Sequence, residues 1–247
     1  MRQVPVLALV LCLANVVGAA RADDRDKALA VIDQAIRARG GEQQLAKLKL
    51  LKRTAKGVTI QGAEIPFKEE IVLQLPDRFH WDMELDAMGQ KVSVVLVLNG
   101  AKGWRQAGGM SAEMGNDERE DLGEELYVIW LTTLVPLKDK AFDLAPLPET
   151  EVNGRPAAGV KVACKGHAEA KLYFDRDSHL LVKLQRRARA AGQAVTRDYL
   201  YGDYRDFDGV KCAGKQTEMI NGKKTVEYTF TGYQFPSAVK EDLFGMP

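Results

Sequence analysis

Residues 75–104, LPDRFHWDMELDAMGQKVSVVLVLNGAKGW, constrain the fold of this chain more than any other stretch. Phe79, Trp81, Met83 and Leu85 alternate with Arg78, His80, Asp82 and Glu84. A period of two places the four apolar side chains on one face of a strand and the charges on the other. Residues 87–90 supply a turn, and Val92, Val94, Leu96 and Leu98 define a second strand. Ser93, Val95 and Val97 lie between them, so the second strand is apolar on both faces. A strand buried on both sides has to be covered by something besides its own sheet. Asn99-Gly100 then turns the chain toward Trp104.

The rest of the chain extends this pattern. Residues 26–39 read as a helix, with Ala28, Leu29, Ile32, Ala35 and Ile36 recurring every three or four and Gly40-Gly41 ending it. Residues 42–49 form a short further helical turn. Strands are expected near 51–60, 65–75, 78–85, 91–98 and 102–106, followed by a flexible loop over 108–116. Residues 117–134 interrupt with a helix. Acidic residues crowd its first turns, Leu122, Leu126, Ile129, Trp130, Thr133 and Leu134 form its stripe, and Pro136 lies beyond it. Core packing and a movable lid are both open readings of that helix. Residues 142–150, with Pro146 and Pro148, suit an edge strand or an extended connection. A meander follows near 158–164, 169–175, 180–188, 194–204, 210–220 and 224–235, with Asn221-Gly222 as a hairpin signal. The expected architecture is mainly β with α: a curved antiparallel sheet, a half-open barrel of about 11 strands by this reading of strand signals, its concave side covered by lid helices.

Residues 1–22 carry the marks of a secretory signal peptide: Arg2, a largely apolar run over 6–17, and Ala20-Arg21-Ala22 as cleavage site. Residues 23–247 are then expected to be one soluble periplasmic domain. Removing Arg2 and Arg21 changes the formal charge from +1 to −1. Such a balance gives no concentrated basic face for nucleic acid. Arg186, Arg187 and Arg189 read as a solvated strand edge, with anionic headgroup contact as the alternative. Cys164 and Cys212 could pair after export, although other strands lie between them.

No catalytic constellation emerges. His80, His167 and His179 do not fall at metal-ligand spacing. Ser111 sits in a Gly-rich loop without a nucleophile elbow, and no G-K-S/T follows residues 100–109. Lys68, Glu69 and Glu70 read as ordinary surface charge. The expectation is a protein that is not an enzyme and uses neither cofactor nor metal.

Surplus apolar surface without chemistry points to a binder. A buried acyl chain gains about 0.8 kcal/mol per methylene. Trp81, Met83 and Trp104 offer flat or adaptable surfaces for one. The expected apolar cavity is lined by Phe79, Trp81, Met83, Leu85, Val94, Leu96, Trp104, Leu126, Trp130 and Leu134.

The order Pro76-x-x-Phe79-x-Trp81-x-Met83, turn, apolar strand, Asn99-Gly100 and Trp104 resembles LolA-type periplasmic lipoprotein carriers. Tyr173-Phe174-Asp175, Asp208-Gly209-Val210 and Phe244-x-x-Pro247 are similar to the wider lipoprotein-sorting superfamily. The resemblance implies a monomer that carries acyl chains of lipid or lipoprotein to the outer membrane. Its implied partners are an inner-membrane ABC release complex and an outer-membrane acceptor. In those carriers an arginine before the proline helps latch the lid; here that position is Leu75. A sensor domain of the same fold, or an accessory domain with a filled core, are the alternatives.

Overall fold

The computed structural model describes residues 8–247 apart from Gln61, Met88 and Ala191, with side chains from Asp23 onward. The export signal assigned to residues 1–22 lies outside the described side chains. Its backbone from Ala8 is helical and continuous with the first expected helix, so α1 spans Ala8–Ala38. Gly40 and Gly41, both at positive φ, end it, and α2 (Glu42–Leu45) runs into a 3-10 turn.

Five strands follow closely where the period-two pattern puts them: β1 (Leu50–Ile60), β2 (Glu64–Gln74), β3 (Arg78–Ala87), β4 (Gln90–Asn99) and β5 (Lys102–Ala107). Residues 110–113 depart from the expected loop. Gly108 and Gly109 both take positive φ, which makes a two-residue hairpin turn, and β6 (Met110–Glu113) pairs back on β5. Helix α3 (Asn116–Thr132) comes next; Leu134, at φ 70°, ends its run ahead of Pro136.

The remaining strands are β7 (Phe142–Val152), β8 (Arg155–Cys164), β9 (Ala170–Asp175), β10 (Leu181–Ala190), β11 (Gln193–Gly202), β12 (Arg205–Phe207), β13 (Val210–Cys212), β14 (Lys215–Ile220) and β15 (Lys223–Gln234). The strand expected over 210–220 is broken: β12 and β13 form a separate hairpin, and β14 alone joins the large sheet. That sheet has 13 strands rather than about 11, in the order β6-β5-β4-β3-β2-β1-β15-β14-β11-β10-β9-β8-β7. It is antiparallel and not closed, with β6 and the proline-bearing β7 at its edges. Two meanders meet where β1 pairs with β15, so the chain ends of the β region lie mid-sheet.

Helices α1 and α3 pack on the inner face. Ile32, Ala35 and Ile36 of α1 join Leu126 and Leu131 of α3, Leu144 of β7 and Val160 of β8 in the main core. The cover needed by the outer face of β4 is the C-terminal segment. Val72, Val95 and Val97 pack there against Phe244, with Trp104, Val239 and Leu243 around them. The His80 ring lies 2.8 Å from the Leu243 carbonyl, and Asn99 donates to that of Phe244. Cys164 and Cys212 are free thiols. Among the described residues no helix is long and apolar enough to cross a membrane.

Candidate functional site

Residues of eight strands line a hollow of about 510 Å³ between the sheet and α3. This falls within the roughly 300–1,000 Å³ usual for small-molecule sites. Its lining follows β1 from Leu51 to Ile60, a run of about 30 Å at roughly 3.3 Å per residue. Leu122, Glu125, Val128, Ile129 and Thr132 of α3, with Thr133 just past its end, form the roof. Leu48, Leu51, Ile71, Leu75, Phe79 and Trp81 give one side an apolar wall.

The strand register explains which expected residues reach this space. Phe79 and Trp81 pair with Leu98 and Leu96 on the inner face, and both line the hollow. Met83, Leu85 and Val94 share that face but belong to the part of the hairpin beyond Trp81, and Leu96 sits opposite Trp81 one strand further out; all four lie outside the lining. Trp104 is on the wrong side. It pairs with Val97, not with Leu96 or Leu98, and so packs on the outer face beside Phe244. Leu126 and Trp130 flank a separate surface groove with Tyr127, His167 and Arg187, while Leu134 is fully buried in the core. The helix meets the hollow with Leu122, Glu125, Val128 and Ile129 instead. Three of those four are apolar positions legible from the sequence.

The other wall is polar, which the expectation of a purely apolar cavity did not foresee. Glu69 is not surface charge: it follows the inward phase of Phe67 and Ile71, and its carboxylate is 1% exposed. The Trp81 indole N–H donates to its Oε2 at 2.9 Å, and Arg53 lies 3.7 Å from its Oε1. Burial pushes the Glu69 carboxyl up, with Arg53 and the Trp81 N–H opposing. Arg186 is likewise not on a solvated edge. Register places it opposite Arg197 and Ala170 on the inner face, 5% exposed, while Arg187 and Arg189 face away.

Glu125 of α3 gathers this wall. It accepts from Arg186 at 2.5 Å, Arg197 at 2.7 Å and the Tyr199 hydroxyl at 2.8 Å. Arg39, beyond the end of α1, donates to the carbonyls of Thr132 and Lys211. The roof helix is therefore tied to the sheet by Glu125 near its middle and held at its last turn by Arg39. Leu75, where the family resemblance places a latch arginine, contributes only apolar lining. Arg78 points outward to Glu241 and Phe244. Glu218 and Tyr228 complete the polar floor. Burial, then the Glu125 charge, pushes the Glu218 carboxyl up to about 7.

Sequence reasoning missed Arg53, Glu69, Arg197, Tyr201, Glu218 and Tyr228. A signal existed for Glu69 in its phase with Phe67 and Ile71. Glu218 and Tyr199 could be paired only once the order β15-β14-β11 was known. Among the described residues no group of three or more His, Cys, Asp or Glu is arranged to hold a metal.

A 13-stranded open sheet with helices across its inner face matches solved structures over most of its length. The fold is LolA-like. A putative outer-membrane lipoprotein-sorting protein domain from Vibrio parahaemolyticus superposes with TM-score 0.55 at 11% identity, covering 90% of this chain and 97% of that one. A LolA superfamily protein from Nitrosomonas europaea gives 0.55 at 8% identity, covering 87% and 96%. A DUF1329 family protein from Desulfovibrio piger gives 0.54 at 11%, covering 88% and 96%. No protein-family model matches the sequence, and no curated protein matches it.

Proposed function

We propose that this chain is an exported carrier that binds one acyl chain of a lipid or lipoprotein in the hollow under α3, for transfer toward the outer membrane. The observation that carries this reading is the space itself. A chain with Phe79, Trp81, Ile71 and Leu75 in one wall would normally fill it, because cores close to crystal-like density. Leaving about 510 Å³ between sheet and roof forfeits packing energy, and an occupant restores it. The LolA-like fold supports the reading as a scaffold on which such sites occur, and the signal-like residues 1–22 support export.

Two measurements test it. Native mass spectrometry of the protein purified from its own envelope is expected to show one bound lipid. Purified, delipidated protein is expected to take up a fluorescent fatty acid. Absence of both leaves the reading without support. N-terminal sequencing of the exported form is expected to begin at or near Asp23; a retained leader contradicts release as a soluble carrier.

A further inference from the structure

The hollow contains a cation whose donors find no hydrogen-bond acceptor. Arg53 projects from β1, and its side chain is 12% exposed. A guanidinium has five N–H donors, yet among the described residues none of them is accepted by a protein group. Its Nε is buried and unsatisfied. Glu69 Oε1, at 3.7 Å, is too far for a hydrogen bond and is itself unsatisfied. The guanidinium carbon instead lies 4.4 Å from the centre of the Phe230 ring, whose face fixes its orientation. The contrast with Arg186 and Arg197, both bonded to Glu125, is sharp. A buried donor fork without acceptors is a costly arrangement for a fold to retain, and a planar guanidinium matches a carboxylate with two parallel bonds.

We propose that the ligand of the hollow is a free single-chain fatty acid, its carboxylate seated on Arg53 and its tail lying along Ile71, Leu75, Phe79 and Trp81. The proposal rests on the lipid-carrier reading above and names its ligand class. The Tyr201 and Tyr228 hydroxyls line the same floor and add donors. Glu69 lies 3.7 Å from Arg53, and burial pushes its carboxyl up from the ordinary value, with Arg53 opposing. The size agrees, since about 510 Å³ suits one drug-sized chain, not a diacyl lipid with its headgroup.

The test compares palmitic acid with hexadecanol, two probes of equal chain length, by calorimetric titration of the full mature chain. Wild type is expected to bind the acid at least tenfold more tightly, the scale of a charge-assisted hydrogen bond. Arg53→Gln is expected to remove that preference, weakening the acid at least tenfold more than hexadecanol; Arg53→Lys, which keeps the charge, is expected to retain part of it. Equal binding of acid and alcohol by wild type overturns the acid-head assignment and leaves the carrier reading intact. Loss of both probes in Arg53→Gln with a wild-type melting curve also overturns it, since the residue would then serve the shape of the hollow. Binding of neither probe by wild type overturns the carrier reading and this proposal together. Should Arg53→Gln fail to fold, the wild-type ratio and Arg53→Lys still decide.

Discussion

The sheet around β4 presents apolar side chains on both faces, and the two come to opposite ends. On the outer face Val72, Val95, Val97 and Trp104 close around Phe244, which is fully buried. On the inner face Phe79 and Trp81 border open space, and the Trp81 indole is held by a hydrogen bond to Glu69 as well as by packing. Side-chain chemistry does not distinguish the two. What covers each face does: a short C-terminal turn that seats a phenylalanine, or a helix tied across the sheet by buried charges.

If the outer face is filled for stability and the inner face is kept open for a ligand, substitutions on the two should separate stability from uptake. The largest stability loss is expected at Phe244→Ala, about 3–5 kcal/mol by the usual cost of removing a fully buried aromatic. Chemical denaturation measures it, and fatty-acid uptake per folded molecule should be unchanged; loss of uptake in the folded variant would break the comparison. Glu125→Ala comes next. It strands Arg186 and Arg197, and because Glu125 is partly exposed the expected loss is about 2–3 kcal/mol, below that of a fully buried pair. Faster hydrogen exchange in α3 than in β1 would show that the helix has been released.

Trp81→Asp is expected to cost about 2–3 kcal/mol: one side of the ring already faces space, but the hydrogen bond to Glu69 is lost and a second carboxylate is set beside it. It should abolish fatty-acid uptake, whereas Asp82→Ala, on the exposed outer phase, should leave uptake intact. Equal uptake by the two variants would show that the faces are assigned the wrong way round.

Glu218 gives a pH-dependent probe of the polar wall. Its folded-state pKa is raised from 4.5 to about 7, so the folded protein holds this proton more firmly than the unfolded chain. Its contribution to stability is therefore full below about pH 4.5, declines between 4.5 and 7, and is a penalty above that. Glu218→Gln, which stays neutral, is expected to be near wild type at pH 5 and about 1 kcal/mol more stable at pH 8, allowing for water in the hollow. Thermal melts at the two pH values measure it. The opposite sign would mean that Arg197 stabilises the carboxylate more than burial penalises it.

Asp175 titrates the other way and reports on the strand scaffold, away from the hollow. Arg155 donates to it at 2.6 Å, and Ser178 donates through both its backbone N–H and its hydroxyl. These bonds, Arg155 first, hold its carboxyl well below the usual range. Its stabilising contribution is present above about pH 4 and lost as pH falls further. Asp175→Asn is expected to lose about 1 kcal/mol at pH 7, given the exposure of Arg155, and to converge with wild type in acid.

Much of the fold was legible in the sequence because period-two alternation and glycine-bearing turns are local signals. The boundaries of β1 to β5 follow from them directly, and the edge position of β7 from Pro146 and Pro148. The LolA-type resemblance of residues 76–104 agrees with the fold observed. The Gly108-Gly109 turn was read as loop because a four-residue strand with exposed side chains has no hydrophobic pattern to mark it.

The site was legible only in part. Phe79 and Trp81 are on the hollow because their phase is set by the sequence. Trp104 missed it because its face depends on the register of β5 against β4, and one residue of slip exchanges inside for outside. The sequence by itself determined the strands, their faces and the amphipathic helices, since each depends on neighbours within a few residues. Only the tertiary structure decided that β1 meets β15, that Glu125 reaches Arg186 and Arg197 across the sheet, and that Arg53 is left without a hydrogen-bond acceptor among the described residues. Those facts depend on which distant strands become neighbours, and no local period encodes that.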